Sequence, residues 1–231
     1  MAQKDGDTVI ITTLLTMRRI IGILGMSLPF IVVVGGFLQN GFTVQSSISS
    51  YYYTNMRDIF IGVICIVGLY LISYRGYERI DDVVTNISGS LAFGVVVFPT
   101  SQTPVGSKRV GVFLLSQNVS QILHLTCASL LFLSLAFISI FLFTRTGQGS
   151  PTPEKLKRNR VYVGSGVVMV ISIVCMVMFV VFLEKTSLSR IDPLLVLEAV
   201  ALTAFGVSWL VKGNTLFKDL PAGHGTASPG G

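Results

Sequence analysis

Residues 192–211 read DPLLVLEAVALTAFGVSWLV. Apart from its opening Asp, one acid interrupts a run of about 20 apolar or small residues, the length an α-helix needs to cross a bilayer. Asp192 followed by Pro193 predicts a helix start, with Asp as N-cap and Pro at the first helical position, where no amide donor is needed. At about 1.5 Å per residue, Glu198 then lies about 9 Å inside the span. A charge near the bilayer centre costs on the order of 2.5–3.5 kcal/mol, and less toward the interface. Glu198 is therefore expected to face other helices, paired or protonated, and not lipid.

Five more runs of this kind precede it. The predicted spans are Ile20–Leu38, Met56–Tyr74, Val83–Phe98, Ser120–Phe143, Val161–Leu183 and Pro193–Val211. The third is short and carries Asn86, Ser88 and Ser90, so it is expected to be buried among the others. The fold class is all-α, a polytopic membrane protein with a bundle of six transmembrane helices over 20–211. A cytoplasmic segment, 1–19, precedes the bundle, and a flexible cytoplasmic tail, 212–231, follows it with the low-complexity ending GHGTASPGG. Composition agrees: 51% of the 231 residues are hydrophobic and 12% charged, about half the charge of a soluble domain. Cys65, Cys127 and Cys175 all fall inside apolar runs and are expected to be small core residues, not a disulfide framework. The N-terminus lacks the pattern of a cleavable signal peptide.

The net charge is +6. The basic residues sit in short loops, which is a topology signal and excludes a nucleic-acid role. Twelve of the 17 Lys and Arg residues fall on the side of the two termini. Both termini are therefore expected in the cytoplasm of a cell with an inner or plasma membrane. Tyr70, Tyr74, Tyr77, Tyr162 and Trp209 then fall at the cytoplasmic interface, and Tyr51, Tyr52 and Tyr53 at the external one, as aromatic belts. Gly22 and Gly25, and the Asn86, Ser90, Gly94 stripe, predict close helix contacts. Pro29 predicts a kink in the first span. The two halves show no internal repeat, which speaks against an inverted-repeat transporter.

Four stretches carry a resemblance: SISSYYYTNMRDIFIG (47–62), SYRGYERIDD (73–82), VVVFPT (95–100) and LKRNRVY (156–162), together with His124 in the fourth span. As a set they resemble a bacterial family of multi-span membrane proteins, domain of unknown function 998. The likeness covers most of the chain. It implies a bacterial inner-membrane protein and assigns no catalytic residues. Intramembrane hydrolases that hold zinc on three histidines are a poor comparison, since this chain has two histidines. No metal and no cofactor are expected.

The candidate site residues cluster at one predicted level, the external third of the membrane. Glu198 is the intramembrane acid. His124 shares a helical stripe with Gln117 and Gln121 at i, i+4 and i+7, which also suits plain interhelical hydrogen bonding. Arg57 and Asp58 open the second span, and Asn55 with Asp58 resembles an N-cap with an acid beyond it. Asp192 opens the sixth. Ser49, Ser50 and Tyr52 supply hydroxyls above these groups. The leading expectation is one polar pocket in the outer leaflet that binds a lipid headgroup or small amphiphile. In it Arg57 holds an anion, Glu198 holds Arg57 or a ligand amine, and His124 tunes the site. Three alternatives use the same residues. One is a lipid hydrolase or transferase with a Ser49 or Ser50 nucleophile and a His124 base, although no nucleophile-elbow pattern is present. Another is a proton-coupled transporter with Glu198 and His124 as its relay. The last is a structural role beside another membrane protein or in a homo-oligomer. At the opposite level, Glu78, Asp81 and Asp82 beside Arg75 and Arg79 read as loop charges, with an Asp capping the third span.

Overall fold

A computed structural model describes residues 2–39, 43–76, 78–102, 109–146, 150–183 and 192–217, with side chains from residue 8 onward. Six helices form: α1 (Ala2–Gln39), α2 (Arg57–Ser73), α3 (Arg79–Val97), α4 (Gln117–Phe137), α5 (Pro153–Met178) and α6 (Pro193–Lys212). π-helical turns continue α4 over Ile138–Leu142 and α5 over Phe179–Leu183, and a 3₁₀ turn, Ser49–Tyr53, precedes α2. Five of the helices are long and apolar enough to cross a membrane. The sixth, α2, has 17 residues and rises about 26 Å, most of the hydrocarbon thickness of about 30 Å. Outward faces are apolar as well: Leu69 on α2, Ile122 on α4 and Val174 on α5 are each more than half exposed. A soluble protein would hide such faces. The chain is a multi-pass membrane protein.

The helices form a ring in chain order. Each packs on its sequence neighbours, and α6 returns to α1 to close the circle. Close approach depends on glycine at three crossings. A Cβ on Gly206 would sit 2.6 Å from the Gly22 carbonyl oxygen, so α1 and α6 touch backbone to backbone. Gly89 meets Gly68 between α2 and α3, and Gly166 meets Ile140 and Ala136 between α5 and the C-terminal part of α4. Small residues permit this contact, and dispersion drives it where the hydrophobic effect cannot.

The ends of the ring are closed differently. At the basic end, Trp209 is 1% exposed and meets Tyr70, Tyr74, Phe143 and Phe205 edge-on or tilted, with ring centroids 5.0–6.0 Å apart. Arg145 pairs with Asp81 at 2.9 Å and Glu78 at 3.1 Å, tying the segment after α4 to the start of α3. At the other end the segment from Ser46 to Tyr53 folds back into the ring, with Tyr51 and Tyr52 buried.

Several expectations need correction. α1 already runs from Ala2, upstream of the span predicted from Ile20, and Pro29 lies inside it. The cap of α3 is Glu78, in a reciprocal box with Asp81, not an aspartate. Asn55 does not cap α2: Met56 holds that position with no side-chain bond. Asp192 holds the N-cap position of α6 in a left-handed conformation (φ 46°), and its carboxylate makes no capping bond. The packed stripe of α3 is Thr85, Ser88, Gly89 and Ala92, with Ser90 exposed. That helix sits in the ring with Val83 and Ile87 turned outward and is not enclosed by the others. Tyr51, Tyr52, Tyr74, Tyr162 and Trp209 are buried plugs, not lipid-facing belts. Cys175 faces outward. Tyr77 and the tail from residue 218 lie outside the described residues.

Candidate functional site

The ring encloses a cavity of about 250 Å³ lined by residues from all six helices. Its walls are apolar: Leu28 on α1, Val63 and Val67 on α2, Val95 on α3, Leu131 on α4, Ile173 on α5, and Leu202 and Phe205 on α6. Apart from Ser129, its polar lining comes from six residues: Ser47, Ser49, Thr100, Gln121, His124 and Glu198. Phe205 belongs to both the cavity wall and the Trp209 cluster, so the aromatic plug closes the apolar end. Three lining residues are also exposed on the outer surface: Leu125 on α4, and Val177 and Val181 on α5 and its π turn, the last 62% exposed. The cavity therefore reaches the lipid-facing surface between α4 and α5. Those helices meet near Ala136, Ile140 and Gly166, at the end away from this opening.

Glu198 holds the polar end together. Its carboxylate accepts the backbone N–H of Ile48 at 2.5 Å and of Ser49 at 3.2 Å, and the Ser49 hydroxyl donates at 3.3 Å. These amides open the 3₁₀ turn, where donors have no partner within the turn. Leu195 N–H donates to the Ser46 carbonyl at 3.1 Å and adds a second tie between α6 and the folded-back segment. The intramembrane acid is thus paired with backbone, not with Arg57. Ser50 bonds Ser47, Oγ to Oγ at 2.7 Å, inside the same turn.

His124 sits on α4 and is 2% exposed. Its Nδ1 lies 2.8 Å from the Phe98 carbonyl oxygen and 3.1 Å from that of Val95, so Nδ1 carries the proton. That leaves Nε2 as the acceptor nitrogen, without a partner among the described residues. Its stripe mates do related work on the chain leaving α3. Gln121 Oε1 accepts from the Thr100 hydroxyl at 2.6 Å and Ser101 N–H at 2.5 Å, Gln117 Oε1 accepts from Gln102 N–H at 3.1 Å, and Ser120 donates to Pro99 O at 2.6 Å. The i, i+4, i+7 stripe is a staple for the segment Pro99–Gln102, with His124 also facing the cavity.

The remaining expected residues do not join this group. Arg57 and Asp58 are exposed in the first turn of α2. Arg57 donates to the Tyr52 hydroxyl at 3.0 Å and lies over that ring at 4.6 Å. Tyr52 is buried but lines a different cleft, and Asp192 lines neither space. Of the five residues expected in one pocket, His124 and Glu198 line the central cavity, Arg57 lines the separate cleft, and Asp58 and Asp192 line neither. Ser49 and His124 line the same cavity, with no hydrogen bond between them among the described residues. Sequence reasoning missed Thr100. A threonine after proline carries no signal of its own until the segment leaving α3 is folded inward.

Comparison of the chain with protein-family models, with curated proteins and with solved structures found no match in any of the three.

Proposed function

We propose that this protein binds one amphiphile in the central cavity, as a multi-pass protein of a bacterial inner or plasma membrane with both termini in the cytoplasm. The cavity's polar end then lies in the outer leaflet. The observation that carries this reading is a cavity with polar groups gathered at one end, apolar walls from six helices, and an opening toward lipid between α4 and α5. At about 250 Å³ it is slightly smaller than sites that enclose a drug-sized ligand. That size suits one hydrocarbon chain, with the rest of the molecule leaving through the opening.

The head is defined by its partners. Glu198 is the one charged lining residue among the described residues, and no cation lines the cavity. An anionic head has no counter-charge there. A head bearing an amine or hydroxyl donor has acceptors there: it can donate to Glu198 and to His124 Nε2. The resemblance to the bacterial family supports the location, and the basic residues at one end support the orientation.

The test is native mass spectrometry with lipid extraction on wild type, Ala128→Phe and Glu198→Gln. Ala128 lines the cavity, so a phenyl group there fills it. The expected result is one bound species with a hydroxyl or amine head, lost in Ala128→Phe and weakened in Glu198→Gln. The same lipid content in wild type and the filled variant overturns the reading.

A further inference from the structure

A second space lies outside the ring. It is a cleft of about 580 Å³ at the same end of the bundle as Glu198, and it shares no lining residue with the central cavity. Its polar lining is Tyr52, Tyr53, Thr54, Asn55, Arg57, Gln102 and Arg109, from the segment leading into α2 and both arms of the α3–α4 connection. Two arginines line one cleft, and no acidic residue lines it among the described residues.

Both arginines are held in place. Arg57 uses one nitrogen on Tyr52 and rests on its ring. Arg109 uses Nη1 on the Leu114 carbonyl at 3.1 Å. A guanidinium has five donors, so each keeps several for a ligand. Burial pushes the Tyr53 hydroxyl up to about 12, and it donates to Thr100 O at 2.6 Å, so it brings no negative charge into the cleft. Two cationic side chains on one cleft favour an anion, and their planar forks match the oxygens of phosphate.

Beside the cleft, residues 110–115 form a tight turn closed by reciprocal backbone bonds between Val110 and Leu115 at 2.9 and 3.0 Å. Its tip, Val112, Phe113 and Leu114, is 77%, 63% and 61% exposed. Phe98 stacks on Phe113 at 5.9 Å and steadies it. This apolar tip lies in the connection between α3 and α4, beyond the ends of both helices.

We infer that the Arg57–Arg109 cleft is a binding site for a phosphate oxyanion, with the Val112–Leu114 tip seated in the lipid around it. The phosphate comes from an anionic phospholipid head or from free phosphate. The inference does not rest on the central cavity holding a ligand.

The test measures phosphatidylglycerol and phosphatidylcholine kept by the purified full chain through detergent exchange, by native mass spectrometry. Wild type should keep phosphatidylglycerol preferentially. Arg57→Gln and Arg109→Gln should each lower its retention about tenfold, the loss of one charge-assisted hydrogen bond. Gln102→Glu places an acid in the cleft without touching either arginine's contacts, and it should lower retention as well. Ala128→Phe should leave it unchanged, which separates this site from the cavity. If millimolar inorganic phosphate displaces the lipid, free phosphate is a ligand of the site. If it does not, and Phe113→Ser weakens retention, the source is the lipid head. Equal phosphatidylglycerol retention by wild type and folded Arg57→Gln, Arg109→Gln and Gln102→Glu, or no preference for the anionic lipid in wild type, overturns the inference.

Discussion

Replacing Glu198 by alanine removes three hydrogen bonds that fasten the segment before α2 to α6. Two of the donors are backbone amides on Ile48, which is 2% exposed, and on Ser49. Each buried donor left without an acceptor costs about 1–3 kcal/mol. Removing the carboxylate also removes its own desolvation cost, so the net destabilisation should be about 2–4 kcal/mol. For a chain of this size each kcal/mol lowers Tm by about 2–4 °C, which gives a fall of about 5–15 °C. Glu198→Gln should lose less, because its carbonyl oxygen can still take the two amides while its NH₂ turns to the Ser49 hydroxyl. Thermal unfolding in detergent, followed by Trp209 fluorescence, measures both. Hydrogen exchange localises the effect, since the Ile48 and Ser49 amides should lose protection in the alanine variant and largely keep it in the glutamine variant. A Tm of Glu198→Ala within 1 °C of wild type, with both amides still protected, would refute the argument that this carboxylate holds the segment in place.

Three other outcomes follow from the same packing. Gly206→Val forces a side chain against the Gly22 carbonyl and Met26 and should separate α1 from α6, seen as loss of monodisperse protein in size exclusion, whereas Gly62→Val, where a Cβ meets nothing within 4 Å, should be silent. Arg145→Ala strips an ion pair from Asp81, which is 3% exposed. The variant should be about 2–4 kcal/mol less stable in denaturant unfolding, toward the 3–5 kcal/mol typical of an uncompensated buried charge, because Asp81 keeps the Glu78 amide. Thr152→Ala should destabilise by about 1 kcal/mol, since its hydroxyl caps α5 on Lys155 N–H, while Asn55→Ala should change stability by less than about 0.5 kcal/mol despite its cap-like position before α2.

The number and placement of the helices were legible in the sequence because apolar length is a one-dimensional property, and a bilayer sets that length directly. Pro193 and the break before Arg57 marked helix starts for the same local reason. Glu198 could be singled out as a residue needing a partner, because its cost depends on where it sits along a span. The identity of the partner was not legible. It is the backbone of Ile48 and Ser49, about 150 residues away in sequence, and backbone donors look alike at every position. Arg57 and Glu198 share a predicted depth, but depth omits the angle around the bundle axis. Only the closed ring, set by glycine contacts such as Gly22 on Gly206, turned Glu198 and His124 toward the cavity and Arg57 toward a cleft with Arg109. The sequence determined which residues the membrane would not tolerate alone, and the tertiary structure decided which of them meet, since meeting depends on helix rotation and on a folded-back segment that no local pattern encodes.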